Sequence, residues 1–135
     1  MNFIFRNIIL FIAIYFLTLS CTTVWHDPDT SIPSKQLDIT AILVTPTIYD
    51  GAGVEIEGKV WDLYMEHNQN SQYKDLYSFF KLADEDGNYV NVKSSSSLPL
   101  VTEGEIIKVV GIHRLIHDPK TNKVENLVEA YNIEK

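Results

Sequence analysis

Six residues concentrate the interaction chemistry of this 135-residue chain: Trp61, Phe79, Lys81, Tyr89, Asn91 and Lys93. They supply three aromatic rings, two ammonium groups and one amide. Two-residue spacing would put Phe79 and Lys81 on one side of a strand, and Tyr89, Asn91 and Lys93 on one side of the next. Trp61 would extend the patch. Rings of this kind stack on bases or sugars, and interleaved lysines attract anions. The same face would equally suit a protein partner. The competing reading is that the rings pack beneath residues 62–75 or against a strand at 38–45, since large exposed apolar surface is uncommon without cause.

Other reactive groups form no constellation. His113 and His117 lie four apart, which on a strand separates them by ~13 Å, too far for one metal ion. Asp84, Glu85 and Asp86 are consecutive, without the alternate spacing and distant bidentate Glu of a calcium loop. No phosphate loop or Gly-x-Ser-x-Gly occurs, and nothing pairs a serine with a positioned His and Asp. The expectation is a non-catalytic protein with no metal and no cofactor. Cys21 is the only cysteine, so no internal disulfide can form.

The elements that must position these residues read as strands. Ile39, Ala41 and Leu43 alternate with their neighbours until Pro46. Val54, Ile56, Gly58 and Val60 alternate with Glu55, Glu57, Lys59 and Trp61, a strand with one buried face. Asp62 to Asp75 is polar and aperiodic, which predicts a long loop. Tyr77–Ala83 and Tyr89–Lys93 are strands joined by Asp84-Glu85-Asp86-Gly87-Asn88, where Asp-Gly supplies the positive φ of a tight reversal. Ser94 to Glu103 connects to a strand at Glu105–Leu115. A turn cluster at 118–123 precedes the last strand, Val124–Ile133.

The N-terminus carries the clearest motif. Asn2 and Arg6 precede an apolar run from Ile8 to Leu17, followed by Thr18-Leu19-Ser20-Cys21. The run is shorter than the ~20 residues of a spanning helix and within the roughly 7–15 of a signal peptide. It resembles a bacterial lipoprotein signal peptide over residues 1–20. The usual motif has an aliphatic residue at −3. Here Thr18 stands there and Leu17 at −4, as in the relaxed motifs of some spirochaetal lipoproteins. The resemblance implies that Cys21 becomes the mature N-terminus, carries lipid such as palmitate, and anchors the protein to a membrane of the cell envelope, facing the periplasm or exterior. Thr22 at the next position favours the outer membrane if the cell is Gram-negative. Residues 21–37, rich in polar residues with Pro28 and Pro33, then read as a flexible tether.

Five strands in this order, with Gly58-Lys59-Val60, Phe80-Lys81-Leu82-Ala83-Asp84, Asp86-Gly87, Gly104-Glu105, Val110-Gly111 and Ala130-Tyr131-Asn132-Ile133, resemble an OB-fold over residues 38–135. The likeness is to OB domains grouped with tRNA-anticodon and single-strand binders. It implies an all-β, five-stranded Greek-key barrel in which Gly58 and Gly111 permit strand bending. The membrane-anchored haem chaperones of cytochrome c maturation share the barrel, but their C-terminal haem-attaching histidine has no counterpart after His117.

Composition ranks the functions. The chain has a net charge of −7, and removing residues 1–20 with Arg6 leaves −8. An acidic domain repels phosphate backbones. The expected function is therefore a protein-binding or scaffolding module with an envelope protein partner. A small-ligand or oligosaccharide binder on the same face is the alternative. A single-stranded nucleic-acid binder ranks third, disfavoured by charge.

Overall fold

The computed structural model describes residues 29–67 and 76–135. The expected signal peptide, Cys21 and residues 68–75 of the expected loop lie outside the described residues.

The elements are β1 (Ser34–Gln36), α1 (Ile39–Val44), β2 (Gly53–His67), β3 (Leu76–Ala83), β4 (Tyr89–Ser95), β5 (Ile106–Asp118) and β6 (Lys123–Glu134). The strands form one sheet in the order β1-β2-β3-β4-β6-β5, and β5 pairs back onto β2. That last pairing closes β2 to β6 into a barrel. All its ladders are antiparallel except β4–β6, which is parallel. This is the expected five-stranded Greek-key barrel, with β1 added in parallel along Gly53–Glu55 of β2.

Alternation along the strands builds the core. Val54, Ile56 and Val60 of β2, Phe80 and Leu82 of β3, and Val90 and Val92 of β4 point inward. Ile107 and Val109 of β5 and Val128, Ala130 and Ile133 of β6 meet them. Burying each large aliphatic side chain contributes about 1.5–3 kcal/mol.

Two glycines let the long strands pass closely. A Cβ on Gly58 would sit 2.6 Å from the Ala83 carbonyl oxygen. On Gly111 it would strike the Glu129 carbonyl oxygen, where the β5–β6 register slips between Val110 and Gly111. The first hairpin turns as its sequence requires. Asp84 Oδ1 accepts the backbone N–H groups of Asp86 and Asn88, both at 2.9 Å, and Gly87 has φ +84°.

Three expectations are corrected. Residues 39–44 are a helix, not a strand. A short, nearly unbroken apolar run carries no decisive period, and here Ile39 and Ile42, three apart, are both buried against the barrel. Thr45 ends the helix: its N–H (3.3 Å) and Oγ1 (3.1 Å) both donate to the Ala41 carbonyl. Residues 34–36, assigned to the tether, are a strand. Residues 62–67, assigned to a loop, continue β2.

Candidate functional site

The continuation of β2 past Trp61 depends on a bulge. Trp61 pairs with Lys81 and Tyr64 with Phe79, so β2 spends one extra residue here. Asp62 takes the strain at φ +52°, a left-handed conformation that Asp tolerates better than most residues. Glu103, in the connector before β5, stabilises the bulge: its two carboxylate oxygens accept the N–H groups of Asp62 and Leu63, each at 3.0 Å. The extra residue reverses the alternation, so Tyr64 faces the same side as Trp61. Glu103→Ala leaves both donors to solvent. It is expected to cost about 1–2 kcal/mol in urea unfolding.

The outward side chains then form two rows. One runs Trp61, Lys81, Asn91 and Leu127 across β2, β3, β4 and β6; the next runs Tyr64, Phe79, Lys93 and Glu129. Tyr64 and Phe79 are stacked, with centroids 5.3 Å apart and planes 11° apart. Three lysines lie over aromatic rings: Lys59 over Trp61 at 4.8 Å, Lys81 over Tyr89 at 4.9 Å, and Lys93 over Tyr77 at 4.5 Å. Trp61, Tyr64 and Tyr89 are exposed, at 45, 53 and 45 %. Phe79 is half-buried, because Tyr64 covers part of it.

Electrostatics on this face are local. Lys81 Nζ donates to Asp62 Oδ2 at 2.8 Å, and that bond holds the ammonium above its ordinary pKa. Burial pushes Lys93 below it, against the charge of Glu129. Burial, Glu66 and Glu125 raise the Tyr64 phenol, so Tyr64 is a neutral ring at physiological pH.

Beside the stacked pair lies a groove of about 450 Å³ lined by Asp62, Tyr64, Phe79, Phe80, Lys81, Asn91, Val92, Ile116, Glu125, Asn126 and Leu127. Its far wall is the outer part of the β5–β6 hairpin. The six residues named from sequence therefore share one face, and Phe79, Lys81 and Asn91 also line the groove. Sequence reasoning missed Tyr64, Asp62, Lys59 and Asn126. The first two were hidden by the bulge. An aromatic two residues past an Asp at the end of a strong strand is the signal that could have found Tyr64.

The histidines are far apart in role. His113 is fully buried, with Nε2 2.8 Å from Asn126 Oδ1. His117 is exposed, with Nε2 2.8 Å from Asn122 Oδ1. Among the described residues no group of three His, Cys, Asp or Glu is placed to hold a metal.

No protein-family model matches this chain, and no curated protein does. Solved structures do. The crystal structure of yeast Stn1 and Ten1 superposes with TM-score 0.54 at 16 % identity, covering 76 % of this chain and 62 % of that one. The chain thus spans under two thirds of that neighbour. The OB domain of Ta0387 from Thermoplasma acidophilum superposes at 0.51 and 12 % identity, covering 76 % of this chain and 87 % of that one. The domain is an OB-fold. A further neighbour, at 0.45, 15 % identity and covering 63 % of this chain and 84 % of that one, is the second OB-fold domain of replication protein A from Methanococcus maripaludis.

Two expectations are corrected here. The ranking that placed a protein-binding or scaffolding role first, with an envelope protein partner and nucleic acid disfavoured, does not stand beside the first two of these OB-fold neighbours. Net charge is also unevenly distributed. Asp38, Glu55, Glu57, Asp84, Glu85 and Asp86 line a different groove of the OB barrel, while the β2–β3–β4 face carries rings and three lysines beside Asp62, Glu125 and Glu129.

Proposed function

We propose that this OB domain is a non-catalytic binder of single-stranded nucleic acid, using the β2–β3–β4 face. The observation that carries the reading is the Tyr64–Phe79 stack, in one row with Lys93 and next to the row that holds Lys81, beside an open groove. A stacked ring pair offers π-faces to successive bases, and flanking ammonium groups suit the phosphates between them. The six-carboxylate groove elsewhere on the barrel restricts the strand to this face by repulsion.

Salt titration tests this. Lys59, Lys81 and Lys93 are the cations of this face, each over an aromatic ring and Lys81 also paired with Asp62. With about 0.7 ion released per contact on a single strand, log K should fall against log salt with a slope of about −2. Fluorescence anisotropy of an oligothymidylate of about 12 nucleotides, between about 50 and 200 mM salt, reads it directly. Failure to bind, or a flat slope, removes the proposal; an oligosaccharide would give the flat slope.

Location is a separate proposal, supported by the resemblance of residues 1–21 to a lipoprotein signal: Cys21 is acylated and holds the domain on an envelope membrane, facing the periplasm or the cell exterior. Cys21→Ala should abolish palmitate labelling and shift the protein from the membrane fraction. Undiminished labelling in that variant would remove the lipid anchor.

A further inference from the structure

We infer that Val44 and Ile48 form a lipid-docking edge that rests in the bilayer interface beside the tether; this rests on the lipid-anchor reading above and not on the single-strand reading. Val44 and Ile48, at 78 and 72 %, are the two most exposed large apolar side chains among the described residues. They do not sit on a loose loop. Ile39 and Ile42 of α1 are buried in the core, and Leu43 and Tyr49 pack against it. Between these anchors the chain keeps coiling: the N–H groups of Thr45, Ile48 and Tyr49 donate to the carbonyls of Ala41, Thr45 and Pro46. Positions four apart on such a path share a side. No residue from Ile39 to Tyr49 carries a charge, in a chain of which 21 % is charged. Asp50, the next residue, is turned back to the barrel, where its Oδ1 accepts the Leu115 N–H at 3.1 Å.

What covers this edge follows from where the tether joins the barrel. β1 lies parallel along the start of β2, with Ser34 opposite Gly53. The two chains pass so closely that a Cβ on Gly53 would lie 2.5 Å from the Pro33 carbonyl oxygen. The turn that carries Ile48 leads directly into the same strand, and the Ala52 N–H closes it on the Tyr49 carbonyl at 2.9 Å. Tether entry and apolar edge therefore share one end of the barrel. Only twelve residue steps separate Pro33 from Cys21, at most about 43 Å of chain. Anchoring makes contact with the bilayer intramolecular, at an effective concentration in the millimolar range for a short linkage. Two aliphatic side chains then suffice where an untethered domain would not stay bound. The acidic domain as a whole is repelled by anionic headgroups, but the stretch 39–49 brings no carboxylate to them. Docking here is apolar and needs no lipid charge.

The experiment uses the full-length acylated protein in phosphatidylcholine vesicles. Thioether attachment of lipid consumes the Cys21 thiol, the only one in the chain, so an introduced cysteine takes a fluorophore alone. Ile48→Cys and His67→Cys, at the two ends of the barrel's longest strand path, each receive a nitrobenzoxadiazole label. Lipids spin-labelled near the headgroup should quench position 48 by about twofold or more, since an interfacial side chain sits about 5–10 Å into the headgroup boundary. Position 67 should stay close to its unquenched emission. Adding Val44→Asp to Ile48→Cys should bring quenching down to the level of position 67, while the protein still floats with the vesicles. Val44 is exposed, and near-UV circular dichroism reports that the variant is folded.

Equal quenching at 48 and 67, or unchanged quenching with Val44→Asp, overturns the docking edge and leaves the anchor intact. A blue shift at position 48 that occurs in the native membrane but not in the vesicles assigns the edge to a protein partner and overturns lipid as its occupant. Two labels per chain, or failure to float with the vesicles, removes the anchor and this inference together.

Discussion

Tyr64→Ala is expected to weaken oligothymidylate binding by about five- to a hundred-and-fiftyfold, since one base–aromatic stack is worth about 1–3 kcal/mol. Tyr64 is the ring best placed to show this. It is 53 % exposed, so its loss creates no core cavity and should change stability by less than about 1 kcal/mol. Its partner Phe79 lies 5.3 Å away and nearly parallel. Phe79→Ala should weaken binding too, and the double variant should lose less than the sum of the two, because either deletion already breaks the stack. Tyr64→Phe keeps the π-face and should bind like the wild type. Anisotropy titrations of the four variants beside the wild type check the set. Unchanged affinity in Tyr64→Ala would mean that the strand, if it binds, lies elsewhere.

Gly111→Val is expected to destabilise the domain by about 3 kcal/mol or more in urea unfolding. A Cβ there meets the Glu129 carbonyl oxygen, with the Ala130 Cα 2.9 Å away. Both are backbone atoms of β6, so nothing can rotate aside. Relief would require β5 and β6 to separate at the register slip that bends the barrel shut. Gly87→Ala is the control. Gly87 has φ +84° but nothing within 4 Å of an added Cβ, so it should cost only about 1–2 kcal/mol for the left-handed backbone. A Gly111→Val midpoint close to that of Gly87→Ala would show that β5 and β6 can part there at little cost.

Much of the barrel was legible because half-buried strands repeat every two residues. The alternations at 54–60 and 77–83, and Tyr89–Lys93, place the correct faces inward, and Asp86-Gly87 turns where its chemistry requires. Segments without a clean period were not legible. Ile39–Val44 is apolar nearly throughout, so it fits a strand or one helical turn equally. Asp62–His67 looks aperiodic because a bulge inserts one residue and shifts the phase. What stabilises that bulge, Glu103, lies 41 residues from Asp62, beyond any local pattern. The candidate site followed the same division. Phe79, Lys81, Tyr89, Asn91 and Lys93 were found by spacing. Tyr64, which completes the stack, was not.

By itself the sequence determined the class of fold, the strand faces of the β3–β4 hairpin, the glycines that allow close strand passage, and the resemblance of residues 1–21 to a lipid-anchoring signal. Those features are local, set by alternation, turn chemistry and motif. The tertiary structure alone decided that β2 continues through a bulge, that Tyr64 stacks on Phe79, that six acids line a separate groove, and that buried His113 meets Asn126. Each of these depends on which strands become neighbours when the barrel closes, and residues far apart in the chain carry no mark of that adjacency until β5 pairs with β2.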